Sequence, residues 1–421
     1  MKIPNYCYRK NGAEETTALN KLQLLFWSCL KIGTTGFGGF VALVAIAERE
    51  LAQRLKLVSA EDFAQALAVA ALLPGSFAVN TIAIIGYQFA GFWGAQIVWF
   101  ALILPSIFLV IAIAALYQEY HQLVFVDRFL QGLIPAVVVI IAAVIWQMGR
   151  KNLRDMVDAV LMLLALITLF YFPGFEVIIV CMLGSAFVGM AREFTNGAFT
   201  AARASFADRA AVKSQSRIYL RLLLLCLASL IAATVFAWLL ADWTATPVLR
   251  ELFSNFSLLS VSLFGGGYVA VPMMRELVVV QQQWLNAESF SHAIAIGQST
   301  PGPVMVSATF IGYVVAGVAG AVVSTVAVFL PPVLLSVLAA EFSERVQTSR
   351  WGAAALIGLR PAVIALLLYA LYTVGITLSP DWVSIALLLG ALALTVFLQV
   401  PQPLLILLSA VLSLVVKGVL P

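Results

Sequence analysis

Lys31 stands nine residues past Leu22, where the first apolar run of the chain begins. A lysine at that depth of a membrane span costs several kcal/mol unless it is paired or hydrated. It therefore reads as a fixed positive charge that attracts an anion, and the bland alternative is a lysine that snorkels to the membrane face. Two pairs of opposite charge, Arg49-Glu50 and Arg275-Glu276, close apolar runs in the same way and read as gates or substrate contacts, against the alternative of solvated helix-end charges. Glycines at 36, 38 and 39 and at 265, 266 and 267 let the backbone leave a helix or let a second helix approach. Pro74-Gly75 and Pro301-Gly302 each end one half-helix and begin another. The N-terminus of a half-helix offers free N–H groups and a partial positive charge, which suits an anion. Ser76, Asn80, Ser299 and Thr300 would add donors there. Arg360, Gln65, Gln298 and His292 are weaker candidates to line a path. An isolated break is more simply a packing glycine or a proline kink.

Other chemistry finds no support. Cys7, Cys29, Cys181 and Cys226 are too scattered for a CxxC or zinc pattern, and only two histidines occur. The run Gly33-Thr34-Thr35-Gly36-Phe37-Gly38-Gly39 lacks the Gly-Lys-Ser/Thr of a phosphate loop. We expect no catalytic residues, no metal site and no cofactor. No dense Lys/Arg run suggests a nucleic-acid partner.

The elements that must position these residues are membrane spans. Of 421 residues, 62% are hydrophobic and 10% charged, and the mean hydropathy is +1.03. A soluble domain sits near 45–50% apolar and 25% charged, so lipid is the expected solvent. With roughly 20 apolar residues per crossing, spans fall at 22–46, 62–91, 93–117, 128–149, 156–172, 174–191, 218–241, 250–278, 288–317, 319–341, 353–376, 382–398 and 400–418. The segments 62–91 and 288–317 are too long for simple spans and read as paired half-helices. The expected class is an all-α polytopic membrane protein of about 13 spans, broken half-helices included. Basic residues in the tail 1–21, in the loop 150–155 and in the linker 192–217 place these on the cytoplasmic side. That implies a multi-pass inner-membrane protein with a cytoplasmic N-terminus. Arg49, Arg54 and Lys56 disagree, since the same count puts them outside.

The chain is also internally repeated. Phe37-Gly38-Gly39 recurs as Phe264-Gly265-Gly266, Arg49-Glu50 as Arg275-Glu276, and Pro74-Gly75 as Pro301-Gly302. Gly86-Tyr87 recurs as Gly312-Tyr313, Leu104-Pro105 as Leu330-Pro331, and Pro135-Ala136-Val137 as Pro361-Ala362-Val363. The offset stays at 226 or 227 throughout, which marks a duplication. The first repeat covers 22–191 and the second 250–418, with the linker 192–217 and a connecting span and loop at 218–249 between them. Seven spans separate the two starts, and an odd number inverts the second repeat. Inverted repeats with broken helices at corresponding positions are a common build of secondary transporters, and that pairing favours function over packing at the breaks. By offset the counterpart of Lys31 is Leu258, so the halves are chemically unequal.

Taken together, Leu30-Lys31-Ile32-Gly33, Phe37-Gly38-Gly39, Arg49-Glu50, Leu73-Pro74-Gly75 with Asn80, Gly86-Tyr87 and their second-half echoes, including Thr300-Pro301-Gly302-Pro303, resemble the chromate transporter family in its long two-domain form. The likeness runs over about 22–418. It implies export of chromate, or a related small oxyanion, driven by the membrane potential or a proton gradient, with chromate resistance as the phenotype. Ser76 stands where the fuller family pattern has proline, and Phe40 stands where chromate exporters often carry proline. Sulfate or another inorganic anion, with chromate as its mimic, is the competing substrate, and a channel the competing mode. A lipid-processing membrane enzyme would need a cluster of carboxylates or histidines at one face, and the sequence has none. The expected partners are the oxyanion and the bilayer; the sequence leaves a homodimer open.

Overall fold

The computed structural model describes residues 18–37, 39–120, 122–153, 155–196, 216–264, 267–341, 350–398 and 400–419. Among them there are sixteen α-helices and no strand. The first half contains α1 (Ala18–Thr35), α2 (Gly39–Ala47), α3 (Ala60–Ala70), α4 (Phe77–Tyr120), α5 (Val124–Gln131), α6 (Leu133–Asn152), α7 (Met156–Tyr171) and α8 (Phe175–Asn196). A connecting helix, α9 (Ser216–Trp243), has no counterpart. The second half contains α10 (Val248–Ser262), α11 (Ala270–Arg275), α12 (Ala287–Ser299), α13 (Ser307–Glu341), α14 (Arg350–Gly375), α15 (Trp382–Phe397) and α16 (Gln402–Val419). Six helices are long and apolar enough to cross a membrane, and three shorter ones are apolar. This is the all-α membrane class expected from composition.

Hydropathy does not show how the chain turns. α4 has 44 residues, but it is not one rod, because Ala90 and Gly91 leave helical geometry, with Gly91 at φ 70°. A Cβ on Gly94 would lie 2.2 Å from the carbonyl oxygen of Gly86, whereas eight residues of continuous helix would separate them by about 12 Å. The helix therefore folds into a hairpin whose arms touch through two glycines. α13 does the same at Ala316-Gly317, where Gly312 and Gly320 are in equally close contact.

α1 lies along the second arm of α4. Lys21 Nζ sits 5.6 Å over the Phe89 ring beside the hairpin turn, and Gly33 packs directly on the backbone of Leu102. α1 thus starts level with the turn and ends near the middle of the long arm. The span expected at 22–46 does not then continue. Nineteen residues of helix would put Lys31 and Glu50 about 28 Å apart, yet Lys31 Nζ lies 3.2 Å from Glu50 Oε2. The chain turns back after Gly36, and α2 returns toward the side where α1 begins. α2 runs into a π-helical segment, Glu48–Arg54, and the chain then bends at Lys56, whose φ is 52°. The second half copies this: a 3₁₀ turn at Gly267–Val269, α11, a π-helical segment at Glu276–Gln281, and Gln283 at φ 52°.

The halves are inverted. Tyr87 Oη, near the α4 turn, donates to Glu341 Oε2 at the end of α13, 2.7 Å away. At the other end of the long arm, Tyr117 meets Ser289 of α12 at 3.1 Å and the Phe310 ring at 5.1 Å. The long arms of α4 and α13 therefore run in opposite directions. The seven spans counted between the repeat starts reduce to five full passes: the long arm of α4, then α6, α7, α8 and α9. The count stays odd because each segment that turns back contributes none.

The halves also exchange helices. Ser185 of α8 donates to the Gly358 carbonyl of α14, and Ser409 of α16 donates to the Gly132 carbonyl before α6 at 2.6 Å. Gly189 abuts Gly358, and Gly132 abuts Ala410, at distances that leave no room for a side chain. The core lies where α4 and α13 cross, and the outer helices carry exposed apolar side chains such as Met156, Trp243 and Phe397. Lipid would cover these.

Candidate functional site

The broken segments of both halves converge at the middle of the two long arms. The Gly75 N–H donates to the Leu263 carbonyl at 2.7 Å, and the Gly302 N–H donates to the Gly36 carbonyl at 2.9 Å. Leu263 and Gly36 are counterparts one repeat apart, so each Pro-Gly break is tied to the end of the other half's first helix. Gly75 has φ 97° and Gly302 has φ 109°, a region closed to most side chains. Close packing imposes the second requirement. A Cβ on Gly75 would lie 2.4 Å from the Pro332 ring, and one on Gly302 would lie 2.6 Å from Ser106 Oγ. Ser106 and Pro332 are again counterparts. Ser106 donates its hydroxyl proton to the Pro301 carbonyl, which the proline cannot do.

Local sequence explains how these segments are delivered. Ser59 caps α3 reciprocally with Asp62, and Asn286 caps α12 by accepting from the Ser289 N–H. Both half-helices therefore have fixed starts and run into a Pro-Gly stop. Beyond the stop, Asn80 Nδ2 donates to the Pro74 carbonyl at 2.8 Å, while its Oδ1 is buried without a partner among the described residues. Ser299 and Thr300 spend their hydroxyl protons on the carbonyls of Ala295 and Gly297. Ser76 is buried beside the first break. Gln298 is only 5% exposed, and neither its amide nitrogen nor its amide oxygen has a partner among the described residues. An unpaired buried amide costs about 1–3 kcal/mol, so its presence beside a helix break suits a ligand that supplies the missing hydrogen bond.

The charged candidates divide unequally. Lys31 is paired with Glu50, and Arg54 Nη1 approaches the same carboxylate at 3.1 Å. Glu50 is largely buried, whereas the Lys31 side chain is 51% exposed. The three groups together carry one net positive charge. Arg49 is exposed, and Arg275 is half-buried beside Tyr369. Glu276 is 1% exposed, with no partner for either oxygen among the described residues. Gly39 begins α2, while Gly38, Gly265 and Gly266 lie outside the described residues. The return of α2 also accounts for the misplaced charges. Arg49, Arg54 and Lys56 fall on the side where α1 starts.

A cleft of about 300 Å³ leads toward the first break. Ala71, Leu72, Met148, Asn152, Arg360 and Val363 line it. Ala71 and Leu72 directly precede the Pro74 stop, and Arg360 brings a cation from the second half to the first. Sequence reasoning ranked Arg360 low, and it missed Ser106, Pro332 and Leu263. The signal that could have found Ser106 is its alignment, one repeat apart, with the second proline of Pro331-Pro332.

Comparison with known proteins agrees with this arrangement. The chromate transporter family model matches residues 23–190 and 250–414, one region for each half. The chromate transport protein of Cupriavidus metallidurans is 29% identical over 79% of this chain and 78% of its own length. The chromate transport protein of Pseudomonas aeruginosa is 29% identical over 82% of this chain and 78% of its own. The uncharacterized transporter YwrB of Bacillus subtilis is 24% identical over 173 residues, which are 40% of this chain but 88% of that one. No solved structure matches. Two matched regions, a relative of one repeat's length and the inverted pair of halves lead to the same conclusion: this chain is a membrane protein of the chromate transporter family.

Proposed function

We propose that the protein exports a small oxyanion of the chromate type across the inner membrane by alternating access, and that it is not an enzyme. The observation that carries this reading is the reciprocal meeting of two broken, inverted segments halfway along the long arms of α4 and α13. A site held between inverted halves can be opened to one side and then the other by rocking one against its partner. Gln298 and the first turns of α4 and α13 supply hydrogen-bond donors, and the net charge of the Lys31–Glu50–Arg54 group attracts an anion from the cytoplasmic side. The cleft lined by Arg360 is its entry. With basic residues clustered at the N-terminal tail, at 150–155 and in the linker, the N-terminus is cytoplasmic.

The driving force follows from charge. A dianion leaving a cell through about 100 mV gains about 4.6 kcal/mol, which sustains a gradient of about three orders of magnitude. Purified protein in liposomes, with a potassium diffusion potential imposed, tests this. Chromate efflux should rise steeply when the interior is negative, and Lys31→Ala should reduce it about tenfold or more. Flux indifferent to the potential would remove the electrogenic reading. Stronger inhibition by sulfate than by chromate itself would make sulfate the substrate.

A further inference from the structure

Glu276 has a property that its first-half counterpart lacks. Glu50 is held by two cations, Lys31 and Arg54. One repeat on, those two positions are Leu258 and Val280. The backbone around them is the same, a π-helical segment followed by a residue at φ 52°. The carboxyl has been kept and its counter-ions removed. Glu276 is 1% exposed, and neither of its oxygens accepts a hydrogen bond from any described residue.

One cation lies near, but it does not pair with the carboxyl as Lys31 and Arg54 do with Glu50. On its own segment Arg275, whose charge favours the ionised carboxyl, hydrogen-bonds Tyr369 of α14, with Tyr372 one turn on, and makes no hydrogen bond to Glu276. From α8 comes Glu176, a second negative charge. α12 also packs here, but its Ser289 and His292 face Tyr117. A metal ion would need several oxygen ligands, and no cluster of three metal-ligating side chains occurs among the described residues. An ionised carboxylate in such surroundings carries a large desolvation cost, which protonation removes.

We propose that Glu276 is a proton-binding site, neutral at rest, which takes up and releases one proton in each transport cycle. The cycle itself rests on the function proposed above; the resting proton does not. When the proton leaves, the carboxylate is hydrated, so release requires the π-helical segment to meet water. That links the proton to the rocking of the halves. The step balances without an oxidant or reductant: the O–H bond of the carboxyl breaks, and the proton passes to water on one side of the membrane.

Infrared difference spectroscopy of the protein in lipid tests the site without any substrate. Wild type at neutral pH should show a protonated carboxyl C=O band that Glu276→Gln lacks. Leu258→Lys should also lose the band, because its ammonium restores the pair seen at Glu50, and it leaves Glu276 in place should the first variant fail to fold. A band absent from wild type, or unchanged in both variants, overturns the proposal. In liposomes, chromate flux should fall severalfold from neutral to alkaline pH in wild type and stay level in Glu276→Gln, and equal pH profiles would overturn the coupling. Absence of oxyanion flux from wild type would instead overturn the proposed function, with the infrared result standing on its own.

Discussion

Glu50 and Glu276 occupy one position in two copies of the same backbone, and their surroundings differ completely. Glu50 sits between Lys31 and Arg54; Glu276 is 1% exposed, and no described residue hydrogen-bonds its carboxyl. Where the two breaks meet the contrast is milder, with Ser106 against Gly302 and Pro332 against Gly75. At the periphery it vanishes. Arg192 clamps Asp155 and Asp158 at the start of α7, and Lys417 clamps Asp381 at the start of α15. Divergence thus increases from the frame toward the two glutamates. Under the proposed function the frame must remain matched for the halves to rock as equivalents, while a substrate needs only one set of charges.

Substitutions at the breaks should show the largest effect on that comparison. Gly75→Ala meets a rigid ring in a backbone conformation that disfavours any side chain, and a loss of about 3–5 kcal/mol is expected. Gly302→Ala meets a hydroxyl that can rotate away, giving up its hydrogen bond to the Pro301 carbonyl at about 1–2 kcal/mol, so its loss should be smaller than that against the rigid Pro332 ring. Thermal unfolding in detergent ranks the two, and the reverse order would break the assignment of Ser106 and Pro332 as unequal counterparts.

The helix exchange should give an intermediate and symmetrical effect. Ser185→Ala and Ser409→Ala each remove one buried hydrogen bond between the halves and should each cost about 1–2 kcal/mol. The double variant should be additive, because the sites share no partner. A tenfold difference in unfolding equilibrium between the two single variants would contradict an equivalent frame.

The smallest effect belongs to the peripheral clamps. The Asp158 N–H and then Arg192 hold the Asp155 carboxyl below its ordinary 3.8. At Asp381 burial pushes upward, but Lys417 and Ser384 outweigh it and the carboxyl again lies below 3.8. A lowered carboxyl contributes stability that is complete above its unfolded value and is lost as pH falls through the folded one. Melting temperature should therefore drop slightly below about pH 4, and Arg192→Met and Lys417→Met should each remove part of that slope. A slope unchanged in both would show that neither clamp contributes.

The duplication was legible in the chain because six landmarks recur at an offset of 226 or 227, and its inversion followed from an odd count of spans. The turn after Gly36 was not legible. Residues 22–46 form one apolar run, and hydropathy has no term for a helix that stops halfway and returns. Lys31 and Glu50 are nineteen residues apart, a spacing that belongs to no single-helix pattern. One clue was present in the misplaced charges Arg49, Arg54 and Lys56, which the count of spans put on the wrong side. The polar character of Ser299 and Thr300 was also legible, but not that their protons were already committed to their own helix.

The exchange of α8 and α16 between the halves also has a consequence for biogenesis. As the chain leaves the ribosome, α5 and α6 enter the bilayer long before α16, the helix that packs on them, has been made. The first half must wait, incompletely assembled, for the last eighteen residues of helix. Its quality control therefore waits on α16, and a chain truncated before Gln402 should be recognised as unfinished however well its first half has inserted. The same interlock means that two fragments, cut within the linker and made separately, carry all the surfaces needed to find each other.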